Sequence, residues 1–395
     1  MTEAVVVTAV RTPGGRAGKG AYRSVRPEDL AAAAVLGALE RTPGLDPAEI
    51  DDLILGCAFP EAEQGLNLGR QVVLSSGLPE SVPGVTLNRF CSSGLQAIVY
   101  ASQQVAAGMA EVVLAGGVES MSRVPGGGNL PMADIGLMTS CPDLYLNMGL
   151  TAEKVAARYD VSREQQDAFA VESHQRALAA QAEGRFDREL VPVEVVRHAP
   201  GPEGTVVEER FVQAKDEGPR VTSVEALAAL RPAFKRDGTV TAGNSSQTTD
   251  GAAMAVVMSA EKAASLGLRP LLRLVSFAVG GVDPGVMGIG PVVAIPKALR
   301  LAGLRLQDIA VIELNEAFAS QAVYVMRHLG LDPNTTNVNG GAIALGHPMG
   351  CTGAKLTATL AYELIRRKGR YGMVSMCIAG GMGAAAVFEN LRTQP

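Results

Sequence analysis

The sequence predicts an α/β protein made of two similar halves, with a long excursion interrupting the first. Three observations carry this expectation. Short apolar, β-branched runs alternate with helical patterns, the same grammar restarts after residue 270, and a segment of the first half aligns without gaps on one of the second.

The runs "AVVVTAV" (4–10), "DLILGCA" (52–58), "GVTLN" (84–88), "EVVLAGG" (111–117) and "AAMAVVM" (252–258) are continuously apolar rather than alternating, as strands covered on both faces are. Between the early ones, "PEDLAAAAVLGALE" opens with proline and two acidic residues, the chemistry a helix N-terminus favours. From about 118 to 250 the character changes. A Gly/Pro-rich stretch ("RVPGGGNLPMADIGLM") leads to a helix opened by the capping box Ser162-Arg163-Glu164-Gln165, and a charged, polar segment follows to residue 220. This reads as an insertion, and loops carried on a rigid α/β scaffold often hold ligand. The second half then supplies "LLRLVSFAVGG", "IAVIELNEA", "TTNVNGG", "YGMVSMCIAGG" and "AAAVFEN" as strands. "GLDPAEIDDLILGCA" (44–58) lies on "GLRLQDIAVIELNEA" (303–317), and in this register the turn "NRFCSSG" corresponds to "HPMGCTG", each opening a helix. The expected division is residues 1–117 plus 251–268 for the N-terminal half, 118–250 for the inserted loop domain, and 269–395 for the C-terminal half.

Bulk properties narrow the function. With 395 residues, 47% hydrophobic and 19% charged, the chain has ample core for a globular enzyme. A net charge of -5 without any basic tract argues against a nucleic-acid partner. The five cysteines (57, 91, 141, 351, 377) are odd in number, widely spaced and free of CxxC pairs, so neither a disulfide framework nor a metal site is expected, and a reducing compartment fits. The start "MTEAVVVTAVRTP" has no leader pattern, no run approaches a membrane span, and the terminal "TQP" is no peroxisomal address, so the expected location is cytoplasmic.

Four stretches carry chemistry. Cys91 in "NRFCSSGLQ" sits where an extended run turns into a helix, and unpaired N–H groups with the helix dipole favour a thiolate there. "GGAIALGHPMGCTG" surrounds His347 with glycines that let backbone approach a ligand. "ELNEAFA" places Asn315 and Glu316 at the end of an apolar strand, and "SMCIAGGMG" places Cys377 before a glycine-rich turn. Each also has an ordinary structural reading: buried thiols, a core histidine, a helix cap.

"NRFCSSGLQAI", "AGGVESMS", "NEAFA", "GHPMGCTGA" and "CIAGGMG" occur in the order found in the thiolase family, and the resemblance spans essentially the whole chain. The resemblance implies two βαβαβαββ halves forming a five-layer αβαβα core with an inserted loop domain. It also implies Cys91 as the nucleophile that becomes acylated, His347 as its base, Cys377 as the acid/base for the acetyl carbon, and Asn315 as holder of a water. The backbone N–H groups of Cys91 and Ala379 would form the oxyanion site. Coenzyme A, a substrate rather than a cofactor, would be held by Ser246, with Phe234, Met148, Ala317 and Phe318 flanking it and Arg220 near the nucleotide. No metal or prosthetic group is implied; the partners are CoA, acetyl-CoA and acyl-CoA, and a homodimer or homotetramer is implied.

Two departures bear on substrate. Ala379 stands where many relatives have glycine, and would be strained if its φ were positive. Asn147 stands where short-chain biosynthetic members carry histidine, which points to the broad 3-ketoacyl-CoA class over the acetoacetyl-CoA enzyme. A non-catalytic lipid carrier on the same scaffold is the reading from a different class. The acyl pocket is expected among Met132, Leu137, Met138, Leu146 and Met148.

Overall fold

The computed structural model describes residues 2–130, 132–200 and 205–392; the readings that touch Met1, Pro131, 201–204 and the C-terminal 393–395 lie outside the described residues. The first half comprises β1 (Ala4–Arg11), β2 (Gly15–Arg16), α1 (Pro27–Glu40), β3 (Asp52–Gly56), α2 (Leu68–Ser75), β4 (Val85–Leu87), α3 (Ser93–Ala106) and β5 (Val112–Glu119). The excursion carries α4 (Ile135–Ser140), α5 (Met148–Arg158), α6 (Arg163–Ala182), β6 (Val193–Pro200), β7 (Val206–Gln213) and α7 (Val224–Ala228). Then follow β8 (Thr249–Ser259), α8 (Ala260–Ser265), β9 (Leu272–Gly281), α9 (Gly290–Ala302), β10 (Ile309–Leu314), α10 (Ala319–Leu329), α11 (Ala342–Leu345), α12 (Met349–Arg367), β11 (Tyr371–Ile378) and β12 (Met382–Asn390).

Two sub-sheets meet at one pair, Val6 opposite Leu272. In the first, β4-β3-β5 run parallel and β5-β8-β1 antiparallel. In the second, β10-β11 is parallel and β11-β12-β9 antiparallel. The expected strand in "TTNVNGG" is reduced to a parallel bridge between Thr336 and Ile312, at the place equivalent to β4. Asn337, at φ 48°, turns the chain there, and its side chain bonds both the N–H and the carbonyl of Leu314. The β6–β7 hairpin, by contrast, falls in the segment read only as polar and charged.

Strand parity sorts the core into layers. Val112, Leu114 and Val118 of β5 face α1 and α2, while Val113 and Ala115 face α3 and α12. On β12, Ala384, Ala386 and Phe388 face the same central helices, and Ala385 and Val387 face α9 and α10. The order is helix, sheet, helix, sheet, helix, and both faces of each sheet are covered, which is why the strands read as unbroken apolar runs. The central helices cross closely. A Cβ on Gly353 would stand 2.3 Å from the backbone nitrogen of Leu95, and one on Gly94 would stand 2.8 Å from the carbonyl oxygen of Gly350.

Among the described residues, one helical stretch, Pro284–Ala302, is long and apolar enough by length and composition alone to cross a membrane. Its backbone is broken at Val286, and Ala294, Ile295, Ala298 and Leu299 pack on the second sub-sheet. It is a core helix.

Candidate active site

Cys91 lies at the tight turn from β4 into α3, and the turn is strained: Phe90 has φ 43°, a left-handed conformation costly for a side-chain-bearing residue. The strain is held by local bonds. Phe90 donates its N–H to Asn88 Oδ1 at 2.7 Å, Arg89 donates its N–H to Ser93 Oγ at 2.8 Å, and Ser93 Oγ donates to the Phe90 carbonyl at 2.7 Å. Cys91 is 8% exposed. Its thiol is pushed up to about 12, first by burial and, least, by the charge of Glu119, against the opposing effect of the nearby N–H groups of Ala379 and of Cys91 itself. In the free protein, burial opposes the thiolate that the helix start favours.

His347 follows Gly346, whose φ of 86° makes the bend between α11 and α12. Its ring is buried, and burial followed by the charge of Lys355 pulls its proton affinity down to about 3. Thr352 Oγ1 donates to the Pro348 carbonyl at 2.9 Å, so it accepts from His347 Nδ1–H at 2.6 Å. That fixes the tautomer and leaves Nε2 as a lone pair. Nε2 stands 3.4 Å from Asn315 Nδ2, while Asn315 Oδ1 is buried with no protein partner. Asn315 is anchored by its N–H to the Ser375 carbonyl at 2.9 Å. Glu316 does not cap α10, the helix that follows it in sequence, but bonds the first turn of α11. Its carboxylate accepts from Ser173, Asn337 and the N–H of Ile343, tying the Asn315 loop to the segment that leads to His347.

Cys377 lies at the end of β11, fully buried, where burial and the Cys91 thiol raise its proton affinity. Burial thus favours the neutral forms of both thiols and of the imidazole, and the Cys91 and Cys377 thiols lie close enough to act on each other. The following turn places positive φ at Gly380 and Gly381 and not at Ala379, so the alanine is unstrained. Cys377 shares an apolar cluster with Ala317, Phe318 and Met148. Phe234 meets Phe318 edge-on at 6.1 Å, and Ser246 donates its N–H to the Ala317 carbonyl at 3.0 Å. Ala317, Phe318 and Met148 therefore pack beside Cys377, and Phe234 and Ser246 reach that cluster through Phe318 and Ala317. Arg220 is half-buried near Arg16 and His174, at a separate position in the excursion.

The expected acyl-pocket residues divide. Met148 reaches the Cys377 cluster, but Met132 is 95%, Met138 53% and Leu137 43% exposed, and Leu146 is only half-buried. The helix α4 that carries Leu137 and Met138 has no buried residue, so its apolar side chains face outward. The reading missed Leu144, whose Cδ1 would lie 3.6 Å from a Cβ placed on Gly380. Asn147 caps α5, its Oδ1 accepting from the Gly149 N–H at 2.9 Å.

Comparison with known proteins shows the family. Residues 4–261 match the family described as thiolase, N-terminal domain, and residues 268–390 match thiolase, C-terminal domain. The chain is 57% identical over 390 residues to the 3-ketoacyl-CoA thiolase of Bacillus subtilis, covering 98% of this chain and 100% of that one. Its fold is similar to that of the Bacillus anthracis acetyl-CoA acetyltransferase (TM-score 0.90, 42% identity, 99% of each chain) and to that of human mitochondrial 3-ketoacyl-CoA thiolase (TM-score 0.88, 41% identity, 98% of this chain and 99% of that one).

Proposed function

Because the chain belongs to the thiolase family, we propose that Cys91, His347, Asn315 and Cys377 together carry out thiolytic cleavage of a 3-ketoacyl-CoA. The protein is an acyltransferase, a 3-ketoacyl-CoA thiolase. The observation that supports the assignment of residues is Asn315 Nδ2 at 3.4 Å from the Nε2 of a buried His347 whose Nδ1–H is held by Thr352, with two buried thiols that act on each other in the same protein.

Cys91 Sγ attacks the 3-keto carbon while its proton passes to the free Nε2 of His347. The N–H groups of Cys91 and Ala379 take the oxyanion of the tetrahedral adduct. The bond between carbons 2 and 3 then breaks, and the negative charge moves to the thioester oxygen of the departing acetyl-CoA. The His347 imidazolium and a water on Asn315 hold that oxygen, and Cys377 gives its proton to carbon 2. Acetyl-CoA leaves, with an acyl group on Cys91 and a thiolate at Cys377. Free CoA then attacks the acyl group; its thiol proton goes to Cys377, and His347 returns its proton to Cys91. Both thiols end as they began, so no metal or prosthetic group enters the cycle. Ser246, Phe234, Met148, Ala317 and Phe318 receive the pantetheine arm, and Arg220 the nucleotide end.

The division into residues 1–117 plus 251–268, 118–250 and 269–395 belongs to the same reading, as do a cytoplasmic location and a homodimer or homotetramer. The similarity to an acetyl-CoA acetyltransferase of TM-score 0.90 supports the second reading, synthesis of acetoacetyl-CoA. The decisive experiment is intact mass after incubation with acetyl-CoA in the absence of free CoA. An acetyl adduct on Cys91 is expected, and an adduct on Cys351 or Cys377 with Cys91 free would overturn the assignment. Relative kcat/KM for 3-ketohexanoyl-, 3-ketooctanoyl- and acetoacetyl-CoA separates the two substrate readings.

A further inference from the structure

Lys355 is 4% exposed, two turns into α12, and its Nζ donates to the main-chain carbonyls of Leu345 at 3.2 Å and Gly346 at 2.8 Å. Those carbonyls end α11 and immediately precede His347. A buried ammonium on neutral acceptors is an expensive way to cap a four-residue helix, since a lysine's charge is far better hydrated at the surface. The placement has a geometric consequence. His347 stands at the bend between α11 and α12, its N–H bound to the Gln247 carbonyl at 3.1 Å and its ring to Thr352, and Lys355 ties down the side of the bend that those bonds leave free.

We propose that Lys355 is a positioning residue for the reaction: its ammonium clamps the carbonyls of Leu345 and Gly346, sets the place of His347 beside Asn315, and keeps a positive charge near the imidazole. The inference rests on His347 being the base. The groups that face the ammonium are Arg11 of β1, Glu189 and Asp216 of the excursion, Glu313 of β10, and Cys351 and His347 around α12. Arg11 is paired with Glu189 at 2.5 Å and Asp216 at 2.7 Å. Burial and Arg11 bring the lysine down to about 8, which leaves it a cation at neutral pH. Its charge disfavours a standing imidazolium, so the proton of Cys91 moves only when substrate is attacked, and His347 holds it weakly enough to return it.

Lys355→Met keeps the stem and removes the donors, while Lys355→Arg restores donors and charge. Thiolysis of a 3-ketoacyl-CoA by the full-length methionine variant is expected to lose roughly 10- to 100-fold in kcat with KM within about twofold, the scale of a slightly misplaced catalytic group. The acid limb of its pH profile is expected to move to higher pH, because His347 gains proton affinity when the cation is removed, and Lys355→Arg is expected to recover most of kcat with the limb back in place. An unshifted limb with kcat within twofold, or a parallel loss of kcat, KM and thermal stability with no shift, overturns the proposal. Should Lys355→Met fail to fold, Lys355→Gln, which keeps a donor for the two carbonyls without the charge, decides: an acid limb moved to higher pH is expected, and an unshifted limb with kcat within twofold overturns the proposal. His347→Gln tells the two readings apart. If that variant still cleaves substrate normally, the base assignment has failed; if it is inactive while Lys355→Met behaves as wild type, only the clamp has.

Discussion

The two halves share strand order and direction, yet equivalent points carry different chemistry. Asp52 pairs with Val113 in the first half, and Val311 pairs with Gly372 in the second, in the same register as the gapless alignment. Continued along each half, that register sets Cys91 against Gly350, Asn88 against His347, Gly56 against Asn315, and Val118 against Cys377. No candidate residue has its own kind at the equivalent place. The scaffold was built twice and the chemistry once, by dividing it: the first half supplies the nucleophile, and the second the base, the second thiol and the amide. The loops differ most. Between β5 and β8 run residues 120–248, whereas the equivalent connection from β11 to β12 is residues 379–381. The long arm folds back over the short turn, where Leu144 meets Gly380.

The largest effects expected are those that abolish this division of labour. Cys91→Ala should lose acylation altogether and turnover by about 10⁴-fold or more, whereas Cys377→Ala should still acylate Cys91 from acetyl-CoA. The second variant should lose exchange of deuterium into the acetyl methyl group, by about 10²- to 10⁴-fold, the range of a general acid/base. Intact mass reads the first and proton NMR of acetyl-CoA in D₂O the second. Undiminished exchange in Cys377→Ala would give both tasks to one thiol and erase the contrast.

Next in size is the place where the halves touch. Gly353→Ala sets a methyl against the Leu95 backbone at 2.3 Å, and neither helix can yield without shifting the loop that opens it. A loss of about 1–3 kcal/mol in denaturant unfolding is expected, together with lowered turnover, because the turn with Cys91 and the bend with His347 begin these two helices. A variant as stable as wild type would mean that the crossing is looser than the geometry implies.

Much of this was legible before any coordinates. The strands announced themselves because both faces of each sheet are buried, and the four chemical stretches did because glycine and proline bracket them. What stayed hidden depends on the whole fold. The β6–β7 hairpin, "VEVVRHAP" with "VVEERFVQ", mixes charges with valine because its outer strand is solvated, so it reads as polar coil. The proton affinity of Cys91 is set mainly by burial, which no local motif contains. The outward-facing methionines of the excursion and the inward-facing Leu144 have similar neighbours in sequence; only the position of the arm over the turn distinguishes them.

A smaller effect compares the buried histidines of the two regions. His347 in the second half is held to about 3, and His174 in the excursion to about 4, the latter by burial and then by Arg220 and Arg16. The unfolded chain binds both protons near 6.5, so their neutral burial stabilises the fold fully above that pH and progressively less as pH falls toward 4. Buried carboxyls such as Glu119 and Glu316, raised by burial, act in the opposite direction. Their effect is common to wild type and His174→Asn, so the difference isolates the histidine. The decrease in Tm from pH 7 to pH 5 should be smaller in His174→Asn than in wild type; an equal decrease would place the acid sensitivity outside the excursion.

The smallest effect tests whether the arm's contact with the turn selects substrate. Leu144 is the apolar side chain that the excursion sets against Gly380, three residues after Cys377, which makes it a candidate wall for the acyl chain. Leu144→Ala removes three carbons from that wall, and each methylene contact is worth up to about 0.8 kcal/mol. If the leucine packs along the chain, kcat/KM for 3-ketooctanoyl-CoA should fall by roughly three- to tenfold while acetoacetyl-CoA, which does not reach so far, changes less than twofold. If the leucine instead blocks the end of the pocket, the alanine variant should gain on the eight-carbon substrate by a similar factor. Either outcome makes the first half's arm a determinant of chain length in a site whose acid, base and amide come from the second half. Equal small losses on both substrates would show that Leu144 only holds the arm down on the turn, and the selection of chain length would then belong to the apolar cluster around Met148 and Met287.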